Sequence, residues 1–192
     1  MLKNGVNYFT EELILTVPQQ ELFDEETNTF FELKEQSIRL KHSLISISKW
    51  EAKYKKQFLS TSYEKTYAET IDYIRFMTIT QNVDPTVYQR ITNAQIGLVN
   101  DYISETMSGT TFGEEKKPPT RFMKPVSAEE IYYWMTEYNI PPEYAKWHLS
   151  KLMTLIKVCG VKKTPPKKGK KNRGADYRAI NNARRAKHKT RG

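Results

Sequence analysis

The sequence predicts an α+β, mainly α protein: a small N-terminal antiparallel β element packed on a helical bundle, followed by a flexible basic C-terminal tail. Three observations predict it. Three short strand candidates lie in the first 45 residues, helix-start signals recur from Ser48 onward, and the positive charge collects at the end. The expected organisation is one globular domain over residues 1–161, with the β element at about 12–45 and helices at about 48–159. Residues 162–192 are a basic linker and tail.

ELILTV (12–17) and TFFELK (29–34) are strand candidates, separated by the polar, turn-rich connector QQELFDEETN. QSIRLK (36–41) alternates polar and apolar residues, as a half-buried strand does. After that the period changes. Ser48 with Glu51, Thr66 with Glu69 and Thr92 with Gln95 fit capping boxes, and Asp84-Pro85 fits a cap followed by proline at the first helical position. Helices are expected near 48–57, 66–79, 85–91 and 93–106. Ile71, Ile74 and Thr78 share one face of the second, and Ile96, Val99 and Ile103 share one face of the fourth. MSGTTFGEEKKPPTRFMKPV (107–126) reads as a long loop.

The organising stretch is SAEEIYYWMTEYNIPPEYAKWHLSKLMTLIKVC (127–159). Ser127 and Glu130 form a further capping box, and Ile131, Trp134, Met135 and Tyr138 fall on one helical face. Pro141-Pro142 ends this helix near Asn139, and Pro142 suits the first position of the next. The face of that next helix carries Ala145, His148, Leu149, Leu152, Ile156 and Cys159. Trp134, Leu149, Leu152 and Ile156 are assigned to the core, and Cys159 reads as a buried small hydrophobe. The pair reads either as a core hairpin or as a groove for a partner helix. Tyr132, Tyr133 and Trp147 lie partly off the core stripe and, with Trp50 and Tyr54, are the candidate partner contacts.

The net charge is +9. Residues 162–192 hold 13 Lys/Arg and one acid, which is +12; the other 161 residues hold 18 basic and 21 acidic side chains, which is −3. Lys167, Lys168, Lys170, Lys171, Arg173, Arg184, Arg185 and Lys187 are candidates for phosphate or for an acidic protein surface, with strong salt dependence either way. Only Tyr177 offers stacking there, so base readout is poorly provided for. VKKTPPKKGKKNRG reads as a solvated linker, and ADYRAINNARRAKHK as a marginal helix.

Catalytic signatures do not emerge. His42, His148 and His188 lie in three different sequence contexts, the one cysteine has no partner, and no GxGxxG, GxxxxGK[ST] or GxSxG occurs. No enzyme activity, cofactor or metal is expected. Neither a secretory signal in MLKNGVNYFTEEL nor a membrane span is expected.

ISISKWEAKYKKQFLS (45–60), ETIDYIRFMTI (69–79), VDPTVYQRI (83–91), the 129–159 segment and the final NNARRAKHKTRG together resemble a tail assembly chaperone of long-tailed bacteriophages. The likeness runs over roughly residues 12–192 and is carried mainly by the KWE and YYWM…KWHL blocks. It implies a non-catalytic assembly factor in the host cytoplasm, absent from the mature virion. Such a factor binds and solubilises the tape measure protein, recruits the major tail protein, and is expected to self-associate along the tape. Two other readings stay open: a nucleic-acid-binding accessory protein that uses the basic arm, and a structural subunit of the virion.

Overall fold

Alternating apolar residues on two strands lay the floor of the domain. In β3 (Glu12–Val17) and β6 (Gln36–Leu40), Leu13, Leu15, Val17, Ile38 and Leu40 all point inward and are buried. The strands pair antiparallel, with Leu13 opposite Leu40 and Leu15 opposite Ile38. Thr16 and Ser37 meet on the outer face, their hydroxyls 2.8 Å apart. The computed structural model describes residues 2–3, 6–7, 11–24, 28–112, 125–163 and 173–188. Within these, β1 (Leu2–Lys3) and β2 (Val6–Asn7) extend the sheet beyond β3 in the order β1-β2-β3-β6, antiparallel throughout.

The connector expected between the first two strands contains a strand of its own. β4 (Gln20–Asp24) pairs with β5 (Thr29–Leu33) as a separate two-stranded hairpin. Acidic residues hide this strand from a hydrophobicity reading. Its base is tied down by Arg90, whose guanidinium donates to the carbonyls of Pro18 (2.6 Å), Lys34 (3.3 Å) and Leu33 (3.5 Å).

The helices follow as α1 (Leu44–Tyr54), α2 (Tyr67–Met77), α3 (Thr86–Gln89), α4 (Asn93–Ser104), α5 (Ala128–Glu137), a 3-10 turn (Pro142–Lys146) and α6 (Leu149–Lys163). The capping boxes at Thr66, Thr92 and Ser127 form as expected. Asp84 accepts from the Thr86 N–H at 2.9 Å and so satisfies a donor at the start of α3. The residues after α2 dock on the outer edge of β6: Lys41 N–H donates to the Met77 carbonyl and Ile79 N–H to the Arg39 carbonyl, both at 2.8 Å.

The start of α1 corrects the sequence reading. The helix begins four residues before Ser48, with Ser43 and Ser46 forming the capping box. Leu44, Ile47 and Trp50 then form its fully buried stripe. Glu51 serves no cap. Its buried carboxylate accepts from Phe58 N–H at 2.7 Å and from Ala128 N–H, the first residue of α5, at 2.8 Å. An acid suits that place, because a helix start presents unpaired N–H groups and a partial positive charge.

The second half of the 127–159 pair also differs from expectation. α5 ends at Glu137, Asn139 turns left-handed (φ 52°), and Ile140 N–H donates back to the Met135 carbonyl at 2.8 Å. Pro142 starts only the 3-10 turn, which breaks at Trp147 in extended backbone. His148 bridges to Ser43, and the N–H of Leu149, the first residue of α6, donates to the His42 carbonyl at 2.9 Å. Ile131, Met135, Leu149, Leu152 and Ile156 are buried, whereas Trp134 and Cys159 are half-buried and do not belong to the core.

By its internal contacts the chain divides into Met1–Val158 and Cys159–Gly192, three residues earlier than the boundary expected at 161. The second unit contains α7 (Arg173–His188), where the sequence offers a marginal helix; residues 180–188 on it are exposed. The linker residues 164–172 and the loop residues 113–124 lie outside the described residues.

Glu51→Ala leaves two buried N–H groups without an acceptor. Loss of an acceptor of this kind costs about 1–3 kcal/mol per buried donor, so the variant is expected to be destabilised by about 3 kcal/mol in urea unfolding. An unchanged midpoint would show that Glu51 does not hold α1 to α5.

Candidate partner-binding surface

Along α5 and the 3-10 turn the apolar side chains sort by type. Ile131, Met135, Ile140 and Ala145 are buried. None of the six aromatics from Tyr132 to Trp147 is: Tyr133 is 63% exposed, and Tyr132, Trp134, Tyr138, Tyr144 and Trp147 are half-buried. Tyr144 and Trp147 stack with centroids 3.9 Å apart and planes at 16°. The Lys151 ammonium sits 4.7 Å from the Trp147 centroid, a cation-π contact, and also pairs with Glu11. Burial pushes the Tyr132 phenol above its usual pKa, with Glu129 adding to the shift. The rings are thus fixed in place yet reachable, as interface aromatics are.

Tyr132, Tyr133 and Trp147 therefore lie where the sequence reading put them, on accessible surface. Trp50 does not. It is fully buried, its Nε1–H donating to the Glu69 carbonyl at 3.0 Å and its ring meeting Phe58 edge-on at 5.2 Å. Its position three residues after Ile47 puts it on the inner stripe of α1, so it is a core residue and offers no contact to a partner. Tyr54 is half-buried at the margin of this cluster, with its ring 4.9 Å from Trp50 and its hydroxyl donating to Asp72 Oδ2 at 2.5 Å. Lys65 lies 4.3 Å from the Phe58 centroid, and burial lowers its pKa.

Two histidines that lie far apart in sequence meet beneath this surface. The His42 and His148 rings are 5.1 Å apart, and both side chains are buried. His148 Nε2–H donates to the Tyr102 carbonyl (3.3 Å), while Nδ1 takes the Ser150 hydroxyl (2.9 Å). His42 Nδ1 lies 2.6 Å from the Tyr73 hydroxyl. The Tyr102 hydroxyl accepts from His42 N–H (3.1 Å) and donates to the Glu11 carbonyl (2.8 Å). Burial pushes His42 down to about 3, with the His148 charge adding to the shift, and burial lowers His148 as well. Burial alone would raise Glu11, but hydrogen bonds from Lys151 and His148 outweigh it and leave that carboxyl lowered. The histidine and tyrosine side chains form a satisfied neutral cluster that joins β6, α2, α4 and the start of α6, with the Glu11–Lys151 ion pair against the His148 N–H. Nothing in the local sequence signals it, because 106 positions separate the two histidines.

Elsewhere on the first unit, Tyr67, Ala68, Ile71, Asp72, Arg75, Tyr88 and Gln89 line an open groove of about 350 Å³. Its charged groups are already engaged, with Arg75 3.9 Å from Asp72 and over the Tyr88 ring. In the second unit Arg184, Arg185 and Lys187 are exposed on α7, and Arg173 opens that helix. Lys167, Lys168, Lys170 and Lys171 lie outside the described residues. Among the described residues no cluster of three or more His, Cys, Asp or Glu could hold a metal, and no helix is long and apolar enough to cross a membrane. No family model matches the chain, and no match is found among curated proteins or solved structures.

The buried histidines give a signed pH dependence. An unfolded chain protonates His42 near 6.5, whereas the folded chain holds it down at about 3. Stability is therefore fully present above the unfolded value and is lost as pH falls through this window, by about 1.4 kcal/mol per unit for one such group. Urea unfolding at pH 5 is expected to show about 2 kcal/mol less stability than at pH 7.5. His42→Gln is expected to flatten this slope whatever its absolute stability. Equal wild-type midpoints at the two pH values would contradict the neutral pair.

Proposed function

We propose that the chain is a non-catalytic assembly chaperone of a long bacteriophage tail, which binds and solubilises the tape measure protein and helps recruit the major tail protein. The observation that carries this reading is the aromatic surface of α5 and the 3-10 turn, where six rings stay accessible while the aliphatic residues beside them are buried. A tape measure protein is a long helix with an apolar stripe. Rings held by stacking and by Lys151 can cover such a stripe with little loss of side-chain freedom. Many copies along one polymer bind through avidity, so each site can be weak. The resemblance of the KWE and YYWM…KWHL blocks to phage tail assembly chaperones supports the same reading. In this role the protein acts in the host cytoplasm and is absent from the finished virion.

The exposed Arg184, Arg185 and Lys187 favour a second reading, an accessory protein whose basic arm binds nucleic acid. One experiment separates the two. The full chain and a chain ending at Val161 are used as bait in nuclease-treated lysate from infected cells. The chaperone reading expects both to recover the same very long helical protein. It also expects Tyr133→Ser with Trp147→Ser to weaken that recovery about tenfold or more, the size of a lost aromatic hot spot. Loss of all binding on removing residues 162–192, or on adding nuclease, would overturn it in favour of the basic arm. Recovery of the chain in purified particles would point instead to a virion subunit.

A further inference from the structure

The β4–β5 hairpin carries an exposed face with a specific pattern. Phe23 and Phe30 are opposite one another in the register, with ring centroids 4.9 Å apart, and are 47% and 68% exposed. Two residues along each strand, on the same face, Glu21 lies directly opposite Glu32, and both are exposed. Like charges directly opposite each other weaken a strand pair, and two exposed phenylalanines gain nothing from water. Residues 18–33 contain Glu21, Asp24, Glu25, Glu26 and Glu32 and no Lys or Arg. The face is therefore aromatic at one level and doubly anionic at the next, on a hairpin anchored at its base by Arg90.

α7 carries the complement. Residues 173–188 hold five Lys/Arg and one acid, Asp176. Ile180 is 52% exposed, and Arg184, one helical turn on, is exposed with Arg185 and Lys187. The spacings agree. Four helical residues advance about 6 Å, and two strand residues about 6.7 Å. A helix laid along the hairpin with Ile180 on the two phenylalanines brings Arg184 level with Glu21 and Glu32. A guanidinium there relieves the like-charge pair.

We propose that the hairpin face of one molecule is the docking site for α7 of a second copy of this chain. The contact is heterologous: each copy offers one hairpin and one α7, so it repeats head to tail and yields open chains unless a ring closes. The occupant is chosen by charge and by pitch, and it belongs to this chain's own sequence. The proposal does not rest on the chaperone reading.

The test is sedimentation velocity on the purified, nuclease-treated full chain over a wide concentration range at low and high salt. Concentration-dependent association is expected at low salt, and weakening at high salt. Phe23→Ser with Phe30→Ser, Glu21→Lys with Glu32→Lys, and Arg184→Glu with Arg185→Glu are each expected to weaken association about tenfold or more. All six positions are exposed, and unchanged circular dichroism would show that the variants are folded. The decisive sample mixes the two charge-reversed chains. Each alone places like charges at the facing positions, lysines at 21 and 32 against Arg184 or Glu21 and Glu32 against a glutamate at 184, and is expected to be monomeric. The mixture restores opposite charges in both directions and is expected to associate. A wild-type chain that stays monomeric at every concentration overturns the proposal, as docking of α7 within its own molecule would produce. So does association that survives the Arg184/Arg185 reversal or disappears with nuclease, and so does a mixture that remains monomeric. None of these readouts needs the tape measure protein, so failure here leaves the chaperone test standing.

Discussion

The first unit depends on what α1 reaches with two adjacent side chains. Trp50 donates from its indole to the Glu69 carbonyl in α2, and Glu51 accepts the first N–H of α5 together with the Phe58 N–H that follows α1. Glu69 in turn closes the α2 capping box and takes Lys56, whose hydrogen bond lowers the carboxyl's pKa. Buried polar groups tolerate little misplacement, because an unmade bond forfeits the full cost of desolvation. One turn of helix thus sets the positions of α2, of the chain after Tyr54 and of the helix that presents the aromatic surface. The KWE segment (49–51) is the piece of sequence that encodes this arrangement.

The fold was legible where its chemistry is local. Capping boxes at Thr66, Thr92 and Ser127 pair residues three apart, and β3 and β6 announce themselves by alternation. What failed to show was long-range. Ser48 and Glu51 have the spacing of a cap, but the carboxylate is taken by a residue 77 positions away. With the helix start misplaced, Trp50 read as an outward ring, although Leu44, Ile47 and Trp50 spell out its buried stripe. β4 is an edge strand among acids that gains its identity only from β5, and the meeting of His42 with His148 is a property of the assembled tertiary structure. Of the candidate surface, Tyr132, Tyr133 and Trp147 were legible because they fall off the apolar stripe of their own segment. Trp134 was not, because its stripe position leaves it only half-covered.

The sorting of aliphatic from aromatic residues in the 127–149 segment separates stability from recognition. Ile131, Met135 and Leu149 fill the interior, where shape and volume decide. The rings remain at the boundary, where a large rigid body buries much area on contact for little entropy lost. A surface meant only for water would carry charge at these positions. Instead Tyr133 is flanked by Tyr132 and Trp134, and the turn that follows stacks Tyr144 on Trp147.

The two strongest concentrations of charge lie elsewhere in the chain, although Glu137, Glu143 and Lys146 fall within 132–147. The acids of residues 18–33 and the bases of 173–188 occupy different elements, and neither lies in the aromatic segment 132–147. Attraction between exposed charges fades within about 8–10 Å at ordinary ionic strength, whereas burial of apolar area is not screened by salt. The proposed contact of the hairpin with α7 is therefore expected to be salt-sensitive, and one made through Tyr133 and Trp147 much less so. Under the two proposals above, one surface would take an apolar helix and the other a second copy of the chain, each with its own response to salt. That independence requires the two surfaces to share no residue, and between the hairpin face and the aromatic segment none is shared.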